Sequence, residues 1–313
     1  FQIDKIVLED VYVNLHKKAN DTVFNYQFVI DAFKSKSEKT TDADTAGIDL
    51  SLNELDLKKI RFNMLDDATG SYTKFSVTEF NLKLKNLDLN KMNFDIDKLY
   101  ANELRFQLFS NDTKEKNSDS SSAATTFPVI KADSLSIKNS FVLYEDKANK
   151  IYSSNSIGLL QLLGINNSDT ASVFKGKLLQ LSNSNIVFNH ELVVAKESTQ
   201  QKDSVASSGN IGFVLNEIDL SNNRVTYNNT AAPVKINGLD YAHIAIKELQ
   251  LNATENLYNN GVIQSNINRF SFKDTSGFAI DSLRGSVKID SGNINIKNLY
   301  VKTPNSSIHA DAM

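Results

Sequence analysis

At 313 residues, with 41% apolar and 23% charged side chains, the chain has the composition of a folding protein rather than a disordered tail. A net charge of −3 offers no basic face for nucleic acid, and zero cysteine excludes disulfide scaffolds, thiolate metal sites and cysteine nucleophiles. Four scattered histidines (His16, His190, His243, His309) are poor material for a metal site, and no run approaches the ~20 apolar residues of a spanning helix. Neither metal nor cofactor is expected. The chain begins at Phe1 with no secretory leader, which reads as an interior segment of something longer.

Period-2 alternation opens the chain: Ile6 and Leu8, then Val11, Val13 and Leu15, mark a strand with one apolar and one solvated face. Thr22–Phe33 sets Phe24, Phe28 and Ile30 at approximate helical spacing behind Asp21 and Thr22, and predicts a short helix with a packing role. A polar stretch over 34–47 precedes a second copy of the strand, with Leu55, Leu57, Phe62 and Met64. Phe80, Leu82 and Leu84 alternate with Asn81, Lys83 and Lys85. The third copy carries Leu99, Ala101, Phe106 and Leu108; a second polar stretch, 111–126, leads to the fourth, with Leu135, Ile137, Val142 and Tyr144. Ile157–Ile165 is nearly all apolar, readable as buried strand or short helix. The fifth copy holds Leu179, Leu181, Ile186 and Phe188, and a third polar stretch, 195–209, leads to the sixth, with Ile218, Leu220, Val225 and Tyr227. A weaker seventh starts at Ile294, with Ile296, Leu299 and Val301.

Counted from the start of each of the six copies, offsets 0, 2, 7 and 9 are apolar at all twenty-four positions, whereas offsets 1, 3, 6 and 8 are polar at eighteen of twenty-four. The apolar parity switches from even to odd inside each copy, so a straight strand would turn its second half inside out. A bulge or corner near offsets 3 to 5 would restore one apolar face. That spot holds Glu9-Asp10, Lys58-Lys59, Asn102-Glu103, Lys138-Asn139, Ser182-Asn183 and Ser221-Asn222, all polar and most of them turn-tolerant. The three polar stretches are too polar to order themselves and read as loops on one rim.

The chemical motifs are weak. Ser71-x-x-Lys74 matches a serine–lysine string without its companion motifs; Asp42-x-Asp44 with Gly47 imitates half a calcium loop; Asp95-x-Asp97 reads as a solvated face. No glycine-rich phosphate loop is present. Nothing points to an enzyme.

The segment Phe24-Asn25-Tyr26-Gln27-Phe28-Val29-Ile30-Asp31-Ala32-Phe33 closely resembles a "FNFQYIIDAF" stretch of Bacteroidetes TamB-like proteins. The course from Leu52 through Met64 to Met92-Asn93-Phe94-Asp95-Ile96 resembles the same family, and strings such as Ile218–Tyr227 resemble AsmA-like proteins more widely. The resemblance is specific over 1–110 and a matter of pattern beyond. It implies an open β-trough (a β-taco) in the periplasm, part of an inner-membrane-anchored protein that meets an outer-membrane β-barrel partner of the TamA kind through regions outside this segment. It further implies bridge-like lipid transport, with a role in outer-membrane protein assembly and secretion.

The expected fold is therefore all-β: one continuous unit over 1–313, an elongated repetitive antiparallel sheet curved into a trough, with one or two short helices. Roughly twenty strands at about 4.8 Å would extend on the order of 100 Å. The apolar offsets would line a groove for phospholipid acyl chains. The alternatives are a non-enzymatic scaffold that receives client strands at its edges, and a closed solenoid.

Overall fold

A computed structural model describes residues 2–28, 51–88, 91–111, 128–167, 172–191, 212–235, 240–290 and 292–312. Apart from Asn111, the three polar stretches lie outside these residues, as do 29–33 of the expected helix. Every element described is a strand, and all sixteen belong to one sheet.

The first five copies of the repeat lie on β1 (Gln2–Glu9) with β2 (Tyr12–Lys17), β3 (Ser51–Asp66), β5 (Asn93–Asn102) with β6 (Arg105–Ser110), β7 (Val129–Asp146), and β9 (Val173–Ser182) with β10 (Asn185–His190). The sixth is β11 (Gly212–Asn229). Between them stand β4 (Ser71–Asp88) and β8 (Ile151–Asn167), and β12 (His243–Asn259) follows. A meander of β13 (Val262–Asp274), β14 (Ala279–Asp290), β15 (Asn293–Lys302) and β16 (Ser307–Ala312) ends the chain. Strand pairs share a position at the broken copies, so sixteen strands fill thirteen places. The sheet measures about 58 Å along its hydrogen bonds, shorter than the expected 100 Å.

One expectation needs correction, and one open reading is decided. The sheet is mixed rather than antiparallel, because copies one and two, three and four, and five and six pair in parallel. The unit is three positions wide: a bent strand, a parallel bent strand, and an antiparallel return (β4, β8 or β12). Each polar stretch joins the far end of one bent strand to the near end of its parallel partner. Secondly, of the two readings open for Ile157–Ile165 the structure has the strand, within β8, and not a helix. A nearly all-apolar run suits a central strand flanked on both sides. Bends and turns over 22–26 lead into helical residues 27 and 28, where the described part of the expected helix ends, and Asn25 caps the outer edge of β2: its N–H donates to His16 O (2.9 Å), its Oδ1 accepts from His16 N–H (3.0 Å), and its Nδ2 donates to Asn14 O (3.1 Å).

The expected corner has a definite backbone cause. Asp10, Lys59, Glu103, Asn139, Asn183 and Asn222, at offset 4 of the six copies, all have φ between 48° and 54°. In each parallel pair the offset-4 N–H of one strand donates to the offset-3 carbonyl of its partner, as Asp10 to Lys58 (3.0 Å) and Asn183 to Ser221 (3.0 Å). Side chains at offsets 4 and 6, among them Lys59, Arg61, Glu103 and Arg105, line one polar cleft of about 500 Å³. The left-handed residue thus absorbs the parity change and keeps the polar set together. Asn adopts this conformation easily, whereas Lys and Glu pay for it. Lys59→Gly is therefore expected to raise the urea midpoint by the equivalent of about 1 kcal/mol, and Lys59→Val to lower it by more. A destabilised glycine variant would contradict this account.

Directly after the corner, offset 5 is buried in four of the six copies, in a seam that excludes water. Ile60 is 7% exposed, and its cross-strand partner Val77 is 2% exposed. In later copies the position is polar and hydrogen-bonds the freed backbone: Ser140 Oγ accepts Leu104 N–H (3.1 Å), and Ser184 Oγ accepts Gly158 N–H (3.1 Å). Gly158 is required there, since a Cβ would stand 2.7 Å from the carbonyl oxygens of Ser182 and Asn183.

Aspartates close several hairpins. Asp146 Oδ1 and Oδ2 accept from Asn149 N–H (3.0 Å) and Asn149 Nδ2 (2.7 Å); Asp274 accepts from the N–H groups of Ser276 (2.8 Å) and Ala245 (3.2 Å). Asn149 holds the Asp146 carboxyl below its ordinary pKa, against the opposing effect of burial. At Asp274 burial pushes upward, but the Ser276 side chain and the N–H groups outweigh it. Depressed folded-state values stabilise the fold above the unfolded pKa near 3.9, and that contribution is lost as pH falls through the folded values. Urea midpoints should be flat from pH 7 to about 5 and fall below about 4; Asp146→Asn should flatten the acid limb. An unchanged acid limb would exclude Asp146 as a source.

Candidate functional site: an apolar sheet face

The register turns the repeat into rows that cross the sheet. Offset 0 runs Ile6–Leu55–Leu82–Leu99–Leu135–Leu162, and on through Leu179, Ile218, Ala253 and Ile267. Offset 2 runs Leu8–Leu57–Phe80–Ala101–Ile137–Leu160–Leu181–Leu220–Leu251, and then Phe270, Leu283, Val301 and Ile308. All thirteen strand positions contribute an apolar residue to that second row. Cross-strand neighbours share a face, so this is a continuous apolar band.

The offset-7 row begins Val13–Phe62–Phe75–Phe106–Val142 and resumes at Ile186 and Val225; offset 9 places Leu15, Met64, Leu108, Tyr144, Phe188 and Tyr227. The expected lining residues thus align, copy with copy. The seventh copy does not. Asn298 has a left-handed φ of 52°, but Val301 stands in the offset-2 row, so Ile294 belongs beside Ile289 at another level.

Of the twenty-four residues at these offsets Ala101 alone is buried; Leu8, Val13, Met64 and Phe188 are exposed and the rest half-buried. Among the described residues only six apolar side chains are buried: Ile60, Val77, Ala101, Ala132, Leu215 and Ala253. A two-layer β protein would bury its inner face against a second sheet. Among the described residues one layer carries the apolar band. The interleaved positions carry hydrogen-bonded polar ladders instead. Asn81 bonds Asp56, Gln180 Nε2 donates to Asp219 (3.1 Å), and Lys5 pairs with Glu54 (2.8 Å) and Asp56.

One apolar position escaped sequence reading. Offset −3 holds Ile3, Leu52, Ile96, Ala132, Gly176 and Leu215, apolar or glycine in all six copies. A Cβ on Gly176 would stand 2.7 Å from Ile165 Cδ1 and 2.8 Å from Leu215 Cδ2, so neighbouring side chains fill its space. A second irregularity, with Gly164 (φ 61°) and Glu255 (φ 54°), hides the position from a parity count.

The motifs bring no chemistry together. Ser71 and Lys74, three apart on β4, project to opposite faces, and Ser71 Oγ accepts Asn111 N–H (3.0 Å). Asp95 and Asp97 are on β5, while Asp42-x-Asp44 lies outside the described residues. Among the described residues no group of three or more His, Asp or Glu could hold a metal ion, and no helix is long and apolar enough to cross a membrane. No protein-family model, curated protein or solved structure matches the chain.

Proposed function

We propose that the chain is a segment of a TamB/AsmA-like bridge protein whose apolar face carries phospholipid acyl chains between the inner and outer membranes. The observation that carries this reading is the unbroken offset-2 row, apolar across thirteen strand positions and, among the described residues, left without a second layer. Apolar area on that scale is costly in water unless something covers it. An acyl chain has the matching need: about 0.8 kcal/mol per methylene, hence on the order of 13 kcal/mol for sixteen. Similar side chains succeed one another along the row, so a tail can move without leaving a single deep well. The protein acts without catalysis, in the periplasm, and meets a TamA-like barrel through other regions of the full-length protein.

Lipid analysis after gentle extraction tests the proposal. Several phospholipids per chain are expected; a lipid-free chain that takes up no lipid from vesicles would overturn it. The open edges favour a second reading, a scaffold for client strands. Among the described residues β1 pairs only with β3, and β16 only with β15. In that case Lys5→Pro, which removes a backbone donor from the edge strand, should abolish client binding and leave lipid content unchanged.

A further inference from the structure

The apolar face is not uniform along its strands. The rows at offsets 0 and 2 are apolar from β1 to β12, but those at 7 and 9 are both interrupted on β8, and the one at 9 also carries a single Thr73 on β4. There Asn155 stands between Val142 and Ile186, and Ser153 between Tyr144 and Phe188. β8 itself divides lengthwise: Ser153–Ser156 is a run of four polar residues regardless of parity, whereas Ile157–Ile165 has one polar side chain, Gln161.

The polar end is built from serine, asparagine and tyrosine groups, with the Asp146 carboxylate at its margin. Asn155 Nδ2 donates to Ser153 Oγ (2.9 Å), and among the described residues the Ser153 hydroxyl proton and Asn155 Oδ1 make no other hydrogen bond. Tyr144 hydroxyl donates to Asp146 Oδ2 (3.1 Å) on one side; on the other, Tyr227 hydroxyl and His190 Nε2 are 2.7 Å apart, with His190 buried. No Lys or Arg belongs to this island. Spare hydrogen-bonding capacity on a half-buried position inside an apolar band needs a polar partner.

We infer that this island holds the headgroup of a bound glycerophospholipid, whose tails lie along β8 over Leu160 and Leu162. The inference rests on the lipid-carrier reading and adds orientation to it. From Asn155 to Leu160 and Leu162 is five to seven residues, about 17–23 Å along a strand, which accommodates tails that fill half of a ~30 Å bilayer core, about 15 Å.

The test uses the purified chain loaded from phosphatidylethanolamine–phosphatidylglycerol vesicles, with lipids carrying a photoreactive group in the headgroup or at the tail end. Headgroup crosslinks should map to residues 144, 153, 155 and 188, and tail crosslinks to 160 and 162 on the same face. Ser153→Val with Asn155→Val, a pair suited to a strand, should cut headgroup crosslinking at these positions about tenfold while tail crosslinks persist. Tail crosslinks on the rows with headgroup crosslinks elsewhere would overturn this inference alone. No capture of either lipid would overturn the carrier reading and the inference together.

Discussion

Replacing Asn223 with leucine is expected to cost the fold about 2–6 kcal/mol, read as a fall in the urea midpoint. Asn223 is fully buried at the corner of β11, where Oδ1 accepts Ser184 N–H (3.0 Å) and Nδ2 donates to Leu181 O (2.8 Å). Leucine is close in volume but leaves a buried donor and a buried acceptor unpaired, each at about 1–3 kcal/mol. Aspartate would keep the acceptor and lose the donor, so Asn223→Asp should also destabilise. Arg224, next along the chain and exposed, provides the control: Arg224→Ser should stay within about 0.5 kcal/mol. Equal effects at 223 and 224 would mean that the corner does not depend on this side chain.

Aspartate at both Leu160 and Leu162 should reduce captured phospholipid about tenfold or more. The two residues occupy adjacent rows in the middle of the sheet, opposite Ile137 and Leu135 on one side and Leu181 and Leu179 on the other. Two charges there would have to be covered by a tail, and burying an unpaired charge is strongly unfavourable. Aspartate at Phe62 or Phe106, in the offset-7 row, should act in the same direction but less, because the tails run over offsets 0 and 2. Asp56 is a poor solvent-face control, since it bonds Asn81 and pairs with Lys5, which together hold its carboxyl below its ordinary pKa. Arg224 serves instead. The variants need unchanged circular dichroism, and wild-type lipid content in the double aspartate variant would remove the band from the mechanism.

How much of this was legible varies by element. Offsets 0, 2, 7 and 9 stood out because strand side chains alternate with period two, and that period survives in the chain as alternation. The corner was legible from the parity switch, and the same reasoning fixed its place to within a residue. The row at offset −3 was hidden because a second irregularity broke the count. β8 was ambiguous because a run apolar on both parities has no period to distinguish strand from helix.

The sequence by itself determined the all-β class, the two-faced strand and the site of its corner, since these depend on side-chain alternation and local backbone preference. Only the tertiary structure decided that the copies pair in parallel, that the third position of each unit is an antiparallel return, and that Val301 falls in the row of Leu8. Strand direction and register are properties of the ladder between distant residues. Alternation is the same whichever way a strand runs, so nothing within a single strand records its neighbour's direction.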